Sequence, residues 1–195
     1  GVSYAAFSYS NTGEKLNSIT TGAITMSYTE SDNIISITNA LPTTDETGKK
    51  RKVEGEYFDF TVSISLTGSS SLNWEIAVED IPVSDKQFQG SNVKFYLTKV
   101  TGDTEEEVMA PKVYKEETSA NTFTGRPANM MSLLTGTTNK SEITNYRLRL
   151  YVDENYNPQD DGGNLVFQVK INVYGKVGVG TVVNEPALDS GMIAV

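Results

Sequence analysis

The chain has 195 residues, of which 37% are hydrophobic, 9% aromatic and 21% charged, enough for one domain or at most two small ones. It contains no cysteine and no histidine, which excludes disulfides, thiol nucleophiles, imidazole bases, zinc fingers and the serine–histidine–aspartate triad. With 25 acidic against 16 basic residues the net charge is -9, a field that repels phosphate backbones, and no apolar run is long enough for a membrane span.

The first nine residues, GVSYAAFSY, are apolar or aromatic at Val2, Tyr4, Ala5, Ala6, Phe7 and Tyr9, and break at Asn11-Thr12-Gly13. The segment is too short, and lacks the basic flank, for the apolar core of a secretory signal. Period-2 alternation then begins with Ile24, Met26 and Tyr28, and returns at Ile35 and Ile37. The one basic cluster, Lys49-Lys50-Arg51-Lys52, lies between turn-like residues and Glu54 and Glu56, and reads as a solvated loop. No nucleic-acid partner is expected.

The clearest strand carries Phe58, Phe60, Val62, Ile64 and Leu66, alternating with Asp59, Thr61, Ser63 and Ser65. After the polar stretch Thr67 to Ser71 the pattern resumes as Leu72, Trp74, Ile76 and Val78, so a β-hairpin is predicted here. Val93, Phe95 and Leu97 mark another strand. From Thr101 to Thr144 the chain is polar and irregular and reads as a variable insertion, with a weaker strand from Val108 to Tyr114. One short helical segment is expected near 128–134, where Met130, Met131, Leu133 and Leu134 follow Arg126-Pro127. The last two strands carry Tyr146, Leu148, Leu150 and Val152, then Leu165, Phe167, Val169, Ile171 and Val173.

The loop between them concentrates oxygen donors suited to calcium, with Asp153, Asn155, Asp160 and Asp161 as candidate ligands. Pro158 stands where an EF-hand needs its glycine and no glutamate closes the loop, so a solvated hairpin loop is the simpler reading and no cofactor is required. At the far end, Val182, Val183, Met192, Ile193 and Val195 have no obvious place in the strand pattern.

Strands with one apolar and one polar face must pair as two sheets, face to face. The expected fold is all-β, a two-sheet antiparallel sandwich of jelly-roll type. The organisation expected is an N-terminal segment over residues 1–13, the sandwich over 14–177 and a C-terminal extension over 178–195. Carboxylates are numerous, but none is set apart by its surroundings in sequence, and an enzyme is not expected.

Tyr4-Ala5-Ala6-Phe7, the strand Ile19-Thr20-Thr21-Gly22-Ala23-Ile24-Thr25-Met26 and the run Ile35-Ser36-Ile37-Thr38-Asn39-Ala40-Leu41-Pro42 resemble the TasA and camelysin-like proteins, secreted subunits of biofilm and cell-surface fibres of Gram-positive bacteria. Tyr57 to Leu66 is similar to the following strand of that family. Ile19 departs from the family's phenylalanine, and Pro42 lacks its Gly-Asp sequel. The resemblance implies an extracellular homopolymer of identical subunits, built by a terminal segment of one copy completing the sheet of the next. A metalloprotease activity is not implied, since no zinc-binding histidine pair exists here.

Physical chemistry supports the same mechanism. An open sheet edge offers unpaired N–H and C=O groups, which a strand from another chain can satisfy. Val2, Tyr4 and Ala6 on one face, or Ala5, Phe7 and Tyr9 on the other, would fill the groove. Four such side chains at about 1.5–3 kcal/mol each would contribute roughly 6–12 kcal/mol before ordering costs. Val182, Val183, Met192, Ile193 and Val195 are the alternative donor. The alternative function is a jelly-roll module that binds glycans or surfaces through loop aromatics such as Tyr156 or Phe88.

Overall fold

The computed structural model describes residues 4–6, 13–15, 18–19, 22–28, 34–38, 41–52, 57–66, 71–82, 89–117, 123, 126–157 and 165–177. The strands are β1 (Tyr4–Ala6), β2 (Gly13–Lys15), β3 (Ser18–Ile19), β4 (Gly22–Tyr28), β5 (Ile34–Thr38), β6 (Pro42–Thr43), β7 (Tyr57–Leu66), β8 (Leu72–Asp80), β9 (Val93–Thr101), β10 (Thr104–Val113), β11 (Met130–Thr138), β12 (Glu142–Asp153) and β13 (Val166–Val177). A single helical turn, α1 (Asp45–Gly48), is started by Thr44, whose hydroxyl accepts from the Thr47 N–H at 3.3 Å.

Two sheets result. The first runs β1-β13-β8-β11, with β5 sharing the β1 edge of β13. The second runs β10-β9-β12-β7-β4-β2, with β3 also on β4 and β6 lying parallel to the end of β12. Successive strands mostly change sheet, so the chain winds around the core in the jelly-roll manner. The β9–β10 hairpin stays within one sheet, turning through Gly102-Asp103, where Gly102 takes a φ of 58°. Only glycine adopts that left-handed conformation without steric cost.

The alternating apolar residues fill the space between the sheets. Ile24 and Met26, Phe58 to Ile64, Phe95 and Leu97, and Leu148 to Val152 face Trp74 to Val78, Met131 and Leu133, and Phe167 to Val173. At one end Phe95, Tyr114 and Phe167 form a triangle of rings with centroids 5.6–6.2 Å apart, joining the sheets edge to face. At the other end the sheets close in. A Cβ on Gly175 would lie 3.0 Å from Ile24 and 3.1 Å from Leu72.

Several expectations change. The runs from Phe58 and from Leu72 are β7 and β8, but they lie in different sheets and form no hairpin. Each presents its apolar face to the other across the core, which satisfies the same period-2 pattern. The link from β12 to β13 likewise crosses between sheets rather than turning a hairpin. Residues 128–134, expected to be helical, enter β11: Met131 and Leu133 point into the main core, while Met130 joins Ala77, Phe123 and Tyr174 beneath the outer covering. A strand buried on both faces reads as a continuous apolar run, which helical spacing imitates. The supposed insertion therefore supplies two strands: β11, and β10, which contains most of the weaker strand expected from Val108 to Tyr114 but starts earlier, where Glu105, Glu106 and Glu107 make the pattern polar.

Gly136 of β11 lies under the Trp74 ring, and a side chain there would overlap it. Gly136→Ala should therefore lower stability by about 1–3 kcal/mol in urea denaturation. An unchanged midpoint would mean that the ring does not rest on this glycine.

Candidate assembly edge and the polar faces

The expected donor segment meets its own chain. In β1, Tyr4 pairs with Lys176, Ala5 with Gly175 and Ala6 with Tyr174, along the edge of β13 opposite β8. β5 takes the other part of the same edge, Ile34 to Thr38 opposite Lys170 to Val166. The edge is thus shared end to end by two short strands. Val2, Phe7 and Tyr9, and the alternative donor residues Val182, Val183, Met192, Ile193 and Val195, lie outside the described residues.

The outer face of the first sheet is covered. Glu75 is fully buried, and Arg126 donates to it through Nε at 2.5 Å; the guanidinium also donates to the carbonyls of Pro127 (3.1 Å) and Glu117 (3.2 Å). Phe123 packs on Tyr174 with centroids 5.9 Å apart, and the Tyr174 hydroxyl donates to Met130 Sδ at 3.1 Å. This cluster ties the strand that carries β1 to the beginning of β11.

On the outer face of the second sheet, Arg149 is 1% exposed and donates to Glu105 through two nitrogens, at 2.6 and 3.0 Å, and to the Arg51 carbonyl at 2.6 Å. Arg147 holds Asp59 the same way, at 2.7 and 2.9 Å, and reaches Glu105 at 3.4 Å. Such two-pronged pairs are among the stronger charged hydrogen bonds. The bonds from Arg149, aided by Thr98 and outweighing burial, hold the Glu105 carboxyl at about 2. Beside it, Asp45 accepts from Lys94 (2.9 Å) and Tyr151 (2.7 Å), which keep its carboxyl below the usual range.

The basic cluster belongs to this covering. Lys49 pairs with Glu107 at 3.4 Å and lies over the Tyr96 ring, while Arg51 donates to Thr43 at 3.2 Å. Lys50 and Lys52 are exposed, as expected of a solvated loop, while Lys49 and Arg51 fasten the segment to the sheet. Arg147-x-Arg149 on the polar face of one strand was the available signal for the network. Its partners come from residues 51, 59 and 105, which sequence order does not bring together.

Of the candidate calcium ligands, Asp153 closes a local turn by accepting from the Asn155 N–H at 3.1 Å and its side-chain amide at 3.4 Å. Asp160 and Asp161 lie outside the described residues, among which no group of three or more acidic side chains could hold a metal. Tyr156, expected to be a loop aromatic free to meet a glycan, is 8% exposed and packs in the main core. Its ring follows the turn inward because the core continues past the end of β12. Phe88 lies outside the described residues. Among those described, no helix is long and apolar enough to cross a membrane.

Comparison with family models, curated proteins and solved structures finds no match to the chain.

A carboxylate whose folded pKa lies below its unfolded value stabilises the fold above that unfolded value and loses the contribution as pH falls. Glu105 should therefore stabilise fully above about pH 4.5 and progressively less toward about pH 2. Glu105→Gln should cost about 3 kcal/mol at neutral pH, because Arg149 stays buried without its counter-charge, and should reduce the acid dependence. Urea denaturation from pH 7 to pH 2.5 checks both; a parallel pair of curves would remove Glu105 from this role.

Proposed function

We propose that the protein is a secreted, non-enzymatic structural subunit of an extracellular filament at the cell surface. In the filament the N-terminal segment of one copy takes the place of β1 on β13 of the next. The observation that supports this reading is where β1 lies: among the described residues it adds to the edge of β13 opposite β8, with Tyr4 opposite Lys176, Ala5 opposite Gly175 and Ala6 opposite Tyr174, a backbone ladder that the same segment of a second copy could make equally well.

The register suggests how the exchanged strand would fit. If an exchanged strand kept this register along β13, Phe7 would fall opposite Val173 and Tyr9 opposite Ile171. Their partners Val173 and Ile171 are fully buried on the core face of β13, so these donor positions would be the ones aimed at the core. A donor of residues 2–9 leaves residues 10–12 as the link to β2, about 13 Å of extended chain, so successive subunits must touch.

Donor and acceptor surfaces differ, so the contact repeats without closing and grows an open filament. The ladder is the same within one chain or between two. The tethered segment, at an effective concentration on the order of millimolar, competes with the neighbour's segment, and polymer should increase with subunit concentration.

Deleting residues 1–9 should abolish filaments in negative-stain microscopy, and a peptide of residues 1–9 should bind the shortened protein one to one without restoring them. Filaments from the shortened protein as abundant as the parent's would refute the reading.

A further inference from the structure

The fold uses only one side of the Glu75 carboxylate. Arg126 donates to its Oε1, while Oε2, on a side chain with no exposed surface, has no hydrogen-bond partner among the described residues. Burial of such an oxygen is costly unless a nearby group donates to it. The outer face of the first sheet brings three further polar groups to its neighbourhood. Asn73 and Glu75 both stand on that face of β8, because Leu72, Trp74 and Ile76 fill the core. Lys176 of β13 is opposite Asn73, and Tyr174 is opposite Glu75. From the other side Thr137 of β11 is opposite Asn73, and its hydroxyl donates to Asn73 Oδ1 at 2.7 Å. Asn73 and Lys176 are each half-buried.

We infer that Lys176 and Asn73 become joined by an amide bond between their side chains, with Glu75 accepting the proton and Thr137 supporting the oxyanion. Directly opposed residues have Cβ atoms about 4.5–5.5 Å apart and diagonal ones about 7–8 Å or less, so a lysine reaches both Asn73 and Glu75. Lys176 starts as an ammonium. Passing one proton to Glu75 Oε2 frees the amine, whose Nζ bonds to Asn73 Cγ while the carbonyl π pair moves to Oδ1. The Thr137 hydroxyl already donates to that oxygen and stabilises the charge that develops on it. When the pair returns, the Cγ–Nδ2 bond breaks. The leaving nitrogen takes a proton released by Nζ and the one held by Glu75, which gives an amide and an ammonium ion and restores the carboxylate. Nothing is oxidised or reduced, and no further reactant is needed. Folding holds amine and carboxamide together, which replaces the activation that separate molecules would require. The product ties β8 to β13 covalently within one subunit, and it rests on no exchange between subunits.

Intact-mass spectrometry of the folded full chain should give the sequence mass less one ammonia. A digest should contain one branched peptide carrying both Asn73 and Lys176. Lys176→Arg keeps the charge but removes the amine, and should return the chain to the mass of its own sequence, as should Asn73→Ala. Glu75→Gln would leave Arg126 buried without its counter-charge, so Thr137→Val probes the chemistry with the fold intact. In chain recovered unfolded and then refolded, Thr137→Val should slow the loss of ammonia about 100-fold at unchanged circular dichroism. Full sequence mass in the unaltered chain after prolonged storage would overturn the proposal. So would ammonia loss that survives Lys176→Arg, which would mean that Asn73 had cyclised on its own backbone. An unchanged rate in Thr137→Val would overturn the site as assigned.

Discussion

The sandwich depends most on β13. Phe167, Val169, Ile171 and Val173 are all fully buried on its inner face, and β8 pairs with nine of its residues. Its other edge is divided between β5 and β1, elements from the first fifth of the chain. A central strand with one long and two short partners is stable only while all the partners stay in place, because an unpaired backbone group removed from water costs free energy comparable to a lost hydrogen bond. This makes the N-terminal segment part of the fold as well as a candidate for exchange.

Neither sheet leaves its outer face to water alone. Residues 41–52 lie over the second sheet and bring Asp45 to Lys94 and Tyr151, and the Arg51 carbonyl to Arg149. Arg126 and Phe123 lie over the first, on Glu75 and Tyr174. Buried ion pairs of this kind add little net stability over an apolar alternative, but losing one partner is costly. Their effect here is to hold the covering segments in one position, because each arginine donates both to a carboxylate and to a backbone carbonyl, as Arg149 and Arg126 do. The covering segments are therefore keyed to particular strands.

A protein built of edges must also limit unwanted pairing. β10 does so with acidic residues, Pro111 and irregular register, and sheet pairing of the β1 kind does so by occupancy. The same backbone chemistry that threatens aggregation is what a fibre subunit would use, with direction imposed by which edge remains available and which segment fits it.

Much of the core was legible in the sequence, because a strand's side chains alternate strictly and the apolar set at Phe58 to Ile64, Trp74 to Val78 and Phe167 to Val173 has only one face to bury. The unusual apolar terminus around Tyr4-Ala5-Ala6 was legible for the same reason: nothing nearby in sequence could cover it. Alternation says which face is buried but not which strand lies beside it. So β7 and β8 were readable as strands, yet their assignment to opposite sheets was not, and the run from Met130 to Leu134 could be read as helix until Phe123 and Tyr174 came to cover its second face. Glu75, Arg149 and Glu105 lie at polar positions that look solvent-exposed in sequence. Only tertiary structure buried Glu75 and Arg149 and partly covered Glu105, because the segments and partners that surround them come from distant parts of the chain. Composition and period determined the layers of this protein; contacts between residues far apart in sequence decided the order of strands, the buried charges and the edge on which its N-terminus lies.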